Sequence, residues 1–239
     1  MRTLILLCLL GLGGCATLER SAPTERGVSC RVEPSQQQQL ALNLASDMAR
    51  EGRLHAALAH LQGLPQNLPQ VRLGQARLYR MLDRPEARGL YQSLLNTCLS
   101  GAGRHGLGQL AAADGHFEEA QRQLENAARL APTEARVHND LGVVYLRLGR
   151  VEDARFEFLT ALELDQSDRL PARNLLTLLL YQDRWEQAAD LASRAGLSAA
   201  ETRDAEALAR EIREGRGALT LAGADTTGQS SALQQRSAP

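Results

Sequence analysis

Laid against itself, the chain repeats its apolar pattern every 34 residues. The period is clearest between residues 101–134 and 135–168: Leu107, Gly108, Ala120, Leu124 and Ala127 recur as Leu141, Gly142, Ala154, Phe158 and Ala161. Helices that cross closely need small side chains where their backbones approach, with larger residues beside them to fill the groove. Asp114-Gly115 and Leu148-Gly149-Arg150 interrupt each copy and supply the glycine that ends a first helix. Each copy therefore reads as a helix, a tight turn and a second, antiparallel helix.

Such a hairpin buries its apolar face only against its neighbours, so at least about three copies are needed for stability. Residues 169–202 keep Leu175, Ala188 and Ala195 at the repeat offsets, with Leu176 in place of the glycine and Asp183-Arg184-Trp185 as the turn. Upstream, Leu73-Gly74 and Ala87 mark a unit over 67–100 with one extra residue in its turn. Leu44, Gly52, Ala57 and Leu61 mark a shortened unit over 38–66, whose second helix is clipped at Gly63-Leu64-Pro65. The expectation is an all-α superhelix of five helix-turn-helix units across 38–202. A solvated capping helix follows over 203–215, with Ala205, Leu208, Ala209 and Ile212 turned inward. Phe117, Tyr145, Phe158 and Trp185 fall at helical spacing and are assigned to the core.

The offsets, with Tyr145 and Pro132, resemble the tetratricopeptide repeat; His138 and Gln166 stand where that family usually has Trp and Pro. The resemblance implies that the first helix of each hairpin lines a concave, protein-binding surface. Projected onto that face, the register selects His105 and Gln109, then Arg136, Asn139, Asp140, Val143 and Arg147, then Arg173, Asn174, Thr177 and Tyr181. Arginine and asparagine together suit the carboxylates and backbone of an extended peptide.

The ends differ from this repeat. Met1-Arg2 and the apolar stretch Leu4 to Leu12 read as an export signal over 1–14, too short for a membrane-spanning helix. Leu12-Gly13-Gly14-Cys15 resembles the bacterial lipobox, which implies acylation of Cys15, and Ala16 after it implies sorting to the outer membrane. Two or more acyl chains anchor stably where one does not. Residues 15–37, polar and carrying Pro23 and Pro34, read as a tether. About 20 flexible residues reach roughly 25 Å. Residues 216–239, rich in Gly, Ser, Thr and Gln, read as a disordered tail. Once Cys8 leaves with the signal and Cys15 is acylated, Cys30 and Cys98 remain, either bridged or as two thiols.

A net charge of −1 gives no global basic field for nucleic acid. Every basic residue is arginine, which a compositional bias of the gene explains. Gly101-Ala102-Gly103-Arg104-His105-Gly106 matches the GxGxxG of dinucleotide-binding turns, but a helical pattern precedes it where that motif needs a strand. Those glycines are read as ending one repeat and loosening the next. His55, His60, His105, His116 and His138 show no metal-ligand spacing, and no nucleophile is paired with a base. The expectation is a scaffold without catalytic residues, metal, cofactor or small-molecule substrate.

Lipobox, tether and repeats together resemble the lipoprotein family of tight-adherence (Flp) pilus assembly called TadD. The stretches Asn139-Asp140-Leu141-Gly142-Val143 and Ala172-Arg173-Asn174-Leu175-Leu176 look like that family's asparagine-leucine helix starts. The resemblance implies an outer-membrane scaffold, facing the periplasm, that helps localise or assemble the pilus secretin and secretion machinery. A type IV pilotin-like lipoprotein is a second reading, and an adaptor for an envelope protease or peptidoglycan hydrolase a third.

Overall fold

The computed structural model describes residues 33–214, which form eleven α-helices. They pair as hairpins: α1 (Gln36–Arg50) with α2 (Leu54–Gln62), α3 (Pro69–Met81) with α4 (Glu86–Ser93), and α5 (Ser100–Ala113) with α6 (Phe117–Leu130). Next come α7 (Ala135–Arg147) with α8 (Val151–Leu164), α9 (Arg169–Tyr181) with α10 (Trp185–Arg194), and a single α11 (Ala199–Arg213). Each helix packs on its hairpin partner, and α5, α7 and α9 each also pack on the second helix of the preceding hairpin. The result is an all-α superhelix of five hairpins closed by α11.

The five turns share one geometry. Each contains a residue in the left-handed region: Gly52 (φ 76°), Asp83 (52°), Gly115 (78°), Gly149 (73°) and Asp183 (58°). The next residue's N–H reaches back into the first helix: Arg53 to Met48, Arg84 to Tyr79, His116 to Ala111, Arg150 to Tyr145 and Arg184 to Leu179, all at 2.8–2.9 Å. This pairing satisfies carbonyls that the helix end would otherwise leave open. Glycine takes the conformation at no steric cost, and aspartate is among the few other residues that tolerate it.

These residues also correct the register of the second unit. Seven positions before the left-handed residue stand Ala45, Ala76, Gly108, Gly142 and Leu176. Ala76 belongs to the core with Ala87 and Tyr91, whereas a Cβ on Gly74 would press on Leu61 of the preceding hairpin. The residue matching Gly108 and Gly142 is therefore Ala76, not Gly74. The turn at Asp83 is one residue shorter than its counterparts up to Ala87, rather than one longer. Likewise Ala45 is buried and Leu44 is 46% exposed.

At Gly108 a Cβ would lie 2.6 Å from the Leu124 side chain, and at Gly142 2.6 Å from the Phe158 ring. The glycines of the GxGxxG stretch are also packing residues, inside α5 rather than at a repeat boundary. A Cβ on Gly106 would fall 2.2 Å from the Tyr91 ring, and one on Gly103 2.8 Å from the Tyr91 carbonyl. Phe158 and Tyr145 are core residues, but Trp185, at the first position of α10, is 55% exposed. The last helix starts at Ala199 rather than at 203, because Ser198 and Glu201 form a reciprocal capping box. Arg213 at its far end donates to the Leu180 and Tyr181 carbonyls, so α11 runs alongside α9 in the same direction.

Gly142→Val should lower stability by about 2–3 kcal/mol through overpacking against Phe158. Gly149→Asn, which keeps a tolerated left-handed residue in open space, should cost less than about 1 kcal/mol. Denaturant midpoints of the two variants test the distinction.

Candidate functional site

The first helices of successive hairpins lie side by side, and the eleven register-selected residues divide sharply on them. Arg136 and Arg147 are exposed, and His105, Arg173 and Tyr181 are partly so. Gln109, Asn139, Asp140, Val143, Asn174 and Thr177 are buried, with Asp140 at 0% and Asn139 at 1%. The expectation that these six offer side chains on an exposed face is corrected, and the reason is pairing.

Asp140 is the hub. Its Oδ2 accepts from Gln109 Nε2 and from the Nε2–H tautomer of His105, each at 2.7 Å, and its Oδ1 accepts from Asn139 Nδ2 at 3.1 Å. Asn139 Oδ1 in turn accepts from Asn174 Nδ2 at 2.8 Å. This ladder crosses α5, α7 and α9, linking three hairpins through groups that would each be costly to bury alone. Val143 joins the apolar core, and Thr177 donates to the Arg173 carbonyl at 3.0 Å. Arg173, Asn174 and Thr177 do meet around one small hollow of about 40 Å³ between α9 and α11. That is room for a water, not a substrate.

The exposed members are held differently. Arg147 stacks over the Phe117 ring of the preceding hairpin at 5.0 Å, which fixes the guanidinium at the end of α7. Arg150 stacks on Tyr145 at 4.2 Å. Tyr145 donates its hydroxyl to Glu125 at 3.0 Å, and burial followed by that bond pushes its pKa up to about 12. His138, where tryptophan is usual in the repeat, instead bonds Glu157 of α8 at 2.6 Å and the Pro132 carbonyl at 3.0 Å. The Glu157 bond holds its pKa above the ordinary histidine value, against the opposing effect of burial.

Counting from the turn residues exposes one groove position that the glycine-based register missed. Six residues before the left-handed residue stand Ser46, Arg77, Gln109, Val143 and Thr177. Arg77 is thus the counterpart of Gln109 in the second hairpin. Its residue surface is exposed, yet its guanidinium is crowded. Loss of water lowers its basicity, Tyr91 and Glu134 oppose that shift, and the charges of Arg136 and Arg80 add to it. The signal that would have found it is the aspartate of the turn, Asp83.

Among the described residues, no group of three or more His, Cys, Asp or Glu can hold a metal ion, and no helix is long and apolar enough to cross a membrane. Cys98 is disulfide-bonded, and the other three cysteines, Cys15 and Cys30 included, lie outside the described residues. The signal, the tether up to Arg31 and Val32, and the tail from 216 also lie outside them.

Asp140→Ala should destabilise the fold by about 3–5 kcal/mol, because it strands buried donors on three hairpins; a urea midpoint near wild type would refute the hub role. For His138 the raised folded pKa fixes the sign of the pH dependence. Its contribution is complete below the unfolded value of about 6.5 and is lost as pH rises through the folded one. His138→Gln should therefore cost more stability near about pH 6 than near about pH 9, and equal losses at both would exclude the charged pair.

Comparison with known proteins agrees with this architecture. A family model described as tetratricopeptide repeat matches residues 105–169. The TPR repeat-containing protein PA4299 of Pseudomonas aeruginosa is 49% identical over 205 residues, 85% of this chain and 82% of that protein. Among solved structures, pilF of Pseudomonas aeruginosa is similar with a TM-score of 0.57 at 21% identity, over 76% of this chain and 93% of that one. TTC0263, a thermophilic TPR protein of Thermus thermophilus, follows at 0.55 and 23%, over 74% and 98%. With its five hairpins, shared turn geometry and near half-identical relative, the chain belongs to the tetratricopeptide-repeat proteins.

Proposed function

We propose that this protein is a lipid-anchored tetratricopeptide scaffold of tight-adherence (Flp) pilus assembly, held at the periplasmic face of the outer membrane and engaging the secretin or its neighbouring components. The repeat array carries the scaffold part of the reading. Its first helices carry exposed or partly exposed arginines at the groove positions of three of the five hairpins: Arg77, then Arg136 and Arg147, then Arg173. A surface built from several consecutive units suits an extended protein segment better than a compact ligand. The anchor and the pilus assignment rest on the Cys15 lipobox and on the asparagine-leucine helix starts of α7 and α9.

Cys15→Ser should move the protein from the membrane pellet to the soluble fraction, and a wild-type protein that is itself soluble would refute the anchor. Capture of the lipidated protein from membranes should recover secretin or other pilus-assembly subunits. Recovery of a peptidoglycan hydrolase or an envelope protease in their place would favour an adaptor role. Asn139 is unsuitable as a binding probe because its truncation breaks the buried ladder. Exposed Arg136 and Arg147 are the residues to vary.

A further inference from the structure

Each second helix from α2 to α8 packs on the first helix that follows it, whereas α11 packs on α9 rather than on α10. The flank of α10 that a following helix would cover is therefore open. On α6 the same flank is marked by Phe117, which lies under Arg147 of α7 at 5.0 Å, and by Glu125, which accepts from Tyr145 of α7 at 3.0 Å. Counted from the left-handed turn residues, the corresponding positions of α10 are Trp185 and Ser193, with Ala189 between them. All three are exposed, Trp185 by 55%. Among the described residues no guanidinium stacks on Trp185 as Arg147 does on Phe117.

The end of α11 is built like the ends of the first helices. Its last residue is followed by Glu214 at φ −85°, ψ 5°, against −86°, 4° at Leu148 and −87°, 5° at Gln182, each of which directly precedes a left-handed residue. The sequence then supplies Gly215 and Arg216. In all five described turns the residue after the left-handed one is arginine or histidine: Arg53, Arg84, His116, Arg150 and Arg184. Arg213 holds the place of Arg147, two residues before that turn, but it is engaged elsewhere. It donates to the Leu180 and Tyr181 carbonyls at 2.6 and 3.0 Å and to Asp183 Oδ1 at 2.7 Å, which fixes the end of α11 two residues from Trp185. Beyond Arg216 comes Ala218-Leu219-Thr220-Leu221-Ala222, apolar but for Thr220. Eight residues from Gly215 reach at most about 28 Å, whereas Trp185 to Ser193 spans only about 12 Å of helix.

We propose that the chain makes a sixth turn at Gly215 and folds back along this flank, so that residues 218–222 cover Trp185 and close the end of the superhelix. Glycine takes the left-handed conformation at no steric cost, and the preceding cap geometry already points the chain into it. Burying Trp185 against Leu219 and Leu221 removes from water the apolar surface that the last hairpin leaves open. The terminal unit of a repeat array needs such a cover, because an open apolar end invites another copy to stack on it. The first residues of the stretch expected to be a disordered tail thereby join the fold, and the inference is independent of the pilus reading.

Trp185 is the single tryptophan of the chain, so its fluorescence reports this flank alone. The test is acrylamide quenching of the purified protein. Leu219→Ser with Leu221→Ser should raise the quenching constant about twofold by uncovering the ring, while Leu233→Ser, farther along the same segment, should leave it unchanged. Gly215→Val, which disfavours the left-handed turn, should raise it likewise, and Gly215→Asn should not. Circular dichroism shows that the variants keep their helices. A quenching constant that changes in neither the double variant nor Gly215→Val would overturn the proposal. So would protection of the wild-type tryptophan that disappears on dilution, because the cover would then be a second copy.

Discussion

Everything in this superhelix depends on ending five helices in the same way. A helix that stops must dispose of its last carbonyls, and here each first helix does so by one left-handed residue followed by an N–H that reaches five positions back. Because that closure fixes the exit direction of the chain, each second helix returns along the first and packs on it. In four of the five units a small residue seven positions before the turn then lets the two backbones approach, and Leu124 or Phe158 fills the space that Gly108 or Gly142 leaves. Neighbouring hairpins inherit their placement from this closure, and so does the row of side chains on the groove face.

The same regularity explains what the amino-acid pattern made legible and what it hid. Units closed by Gly115 and Gly149 stand out in the sequence, and their helices lie where the 34-residue period puts them. The turns at Asp83 and Asp183 are harder to see, since aspartate is common on exposed helix ends and only backbone geometry reveals its left-handed state. Anchoring the second unit on Gly74 rather than on Asp83 shifted its register by two residues, and the groove set, drawn from the third to fifth units alone, did not reach Arg77. Spacing also treats polar side chains on the groove face as solvated. It could not show that Asn139, Asp140 and Asn174 turn sideways to bond the next hairpin, because those bonds join residues 31 to 35 positions apart.

That ladder and the arginine face divide the labour of the first helices. The ladder replaces part of an apolar seam between hairpins with directional bonds, which set the lateral register of α5, α7 and α9. Buried polar networks of this kind contribute uniqueness of packing more than net stability. The arginines of these helices take no part in the ladder and stand nearer the surface, on helices among which Asp140 alone carries a carboxylate, and it is buried. His138 and Tyr145 complete the division by binding the adjoining helices through Glu157 and Glu125.

The apolar core is not one body. Ala45, Ala57, Leu61 and Leu78 form one cluster, Ala76, Ala87, Tyr91, Leu94 and Leu107 a second, and a third and much larger one runs from Ala111 to Ala209. In a linear array each unit is coupled only to its neighbours, so cohesion is graded along the axis rather than shared. The polar ladder runs from α5, which the second and third clusters share, into the well-knit end, while Arg77 belongs to a helix shared between the two small clusters. Under thermal motion or a pulling force, the superhelix would therefore begin to unzip from α1, and Arg77 would lose its footing while the polar ladder still stood on rigid ground.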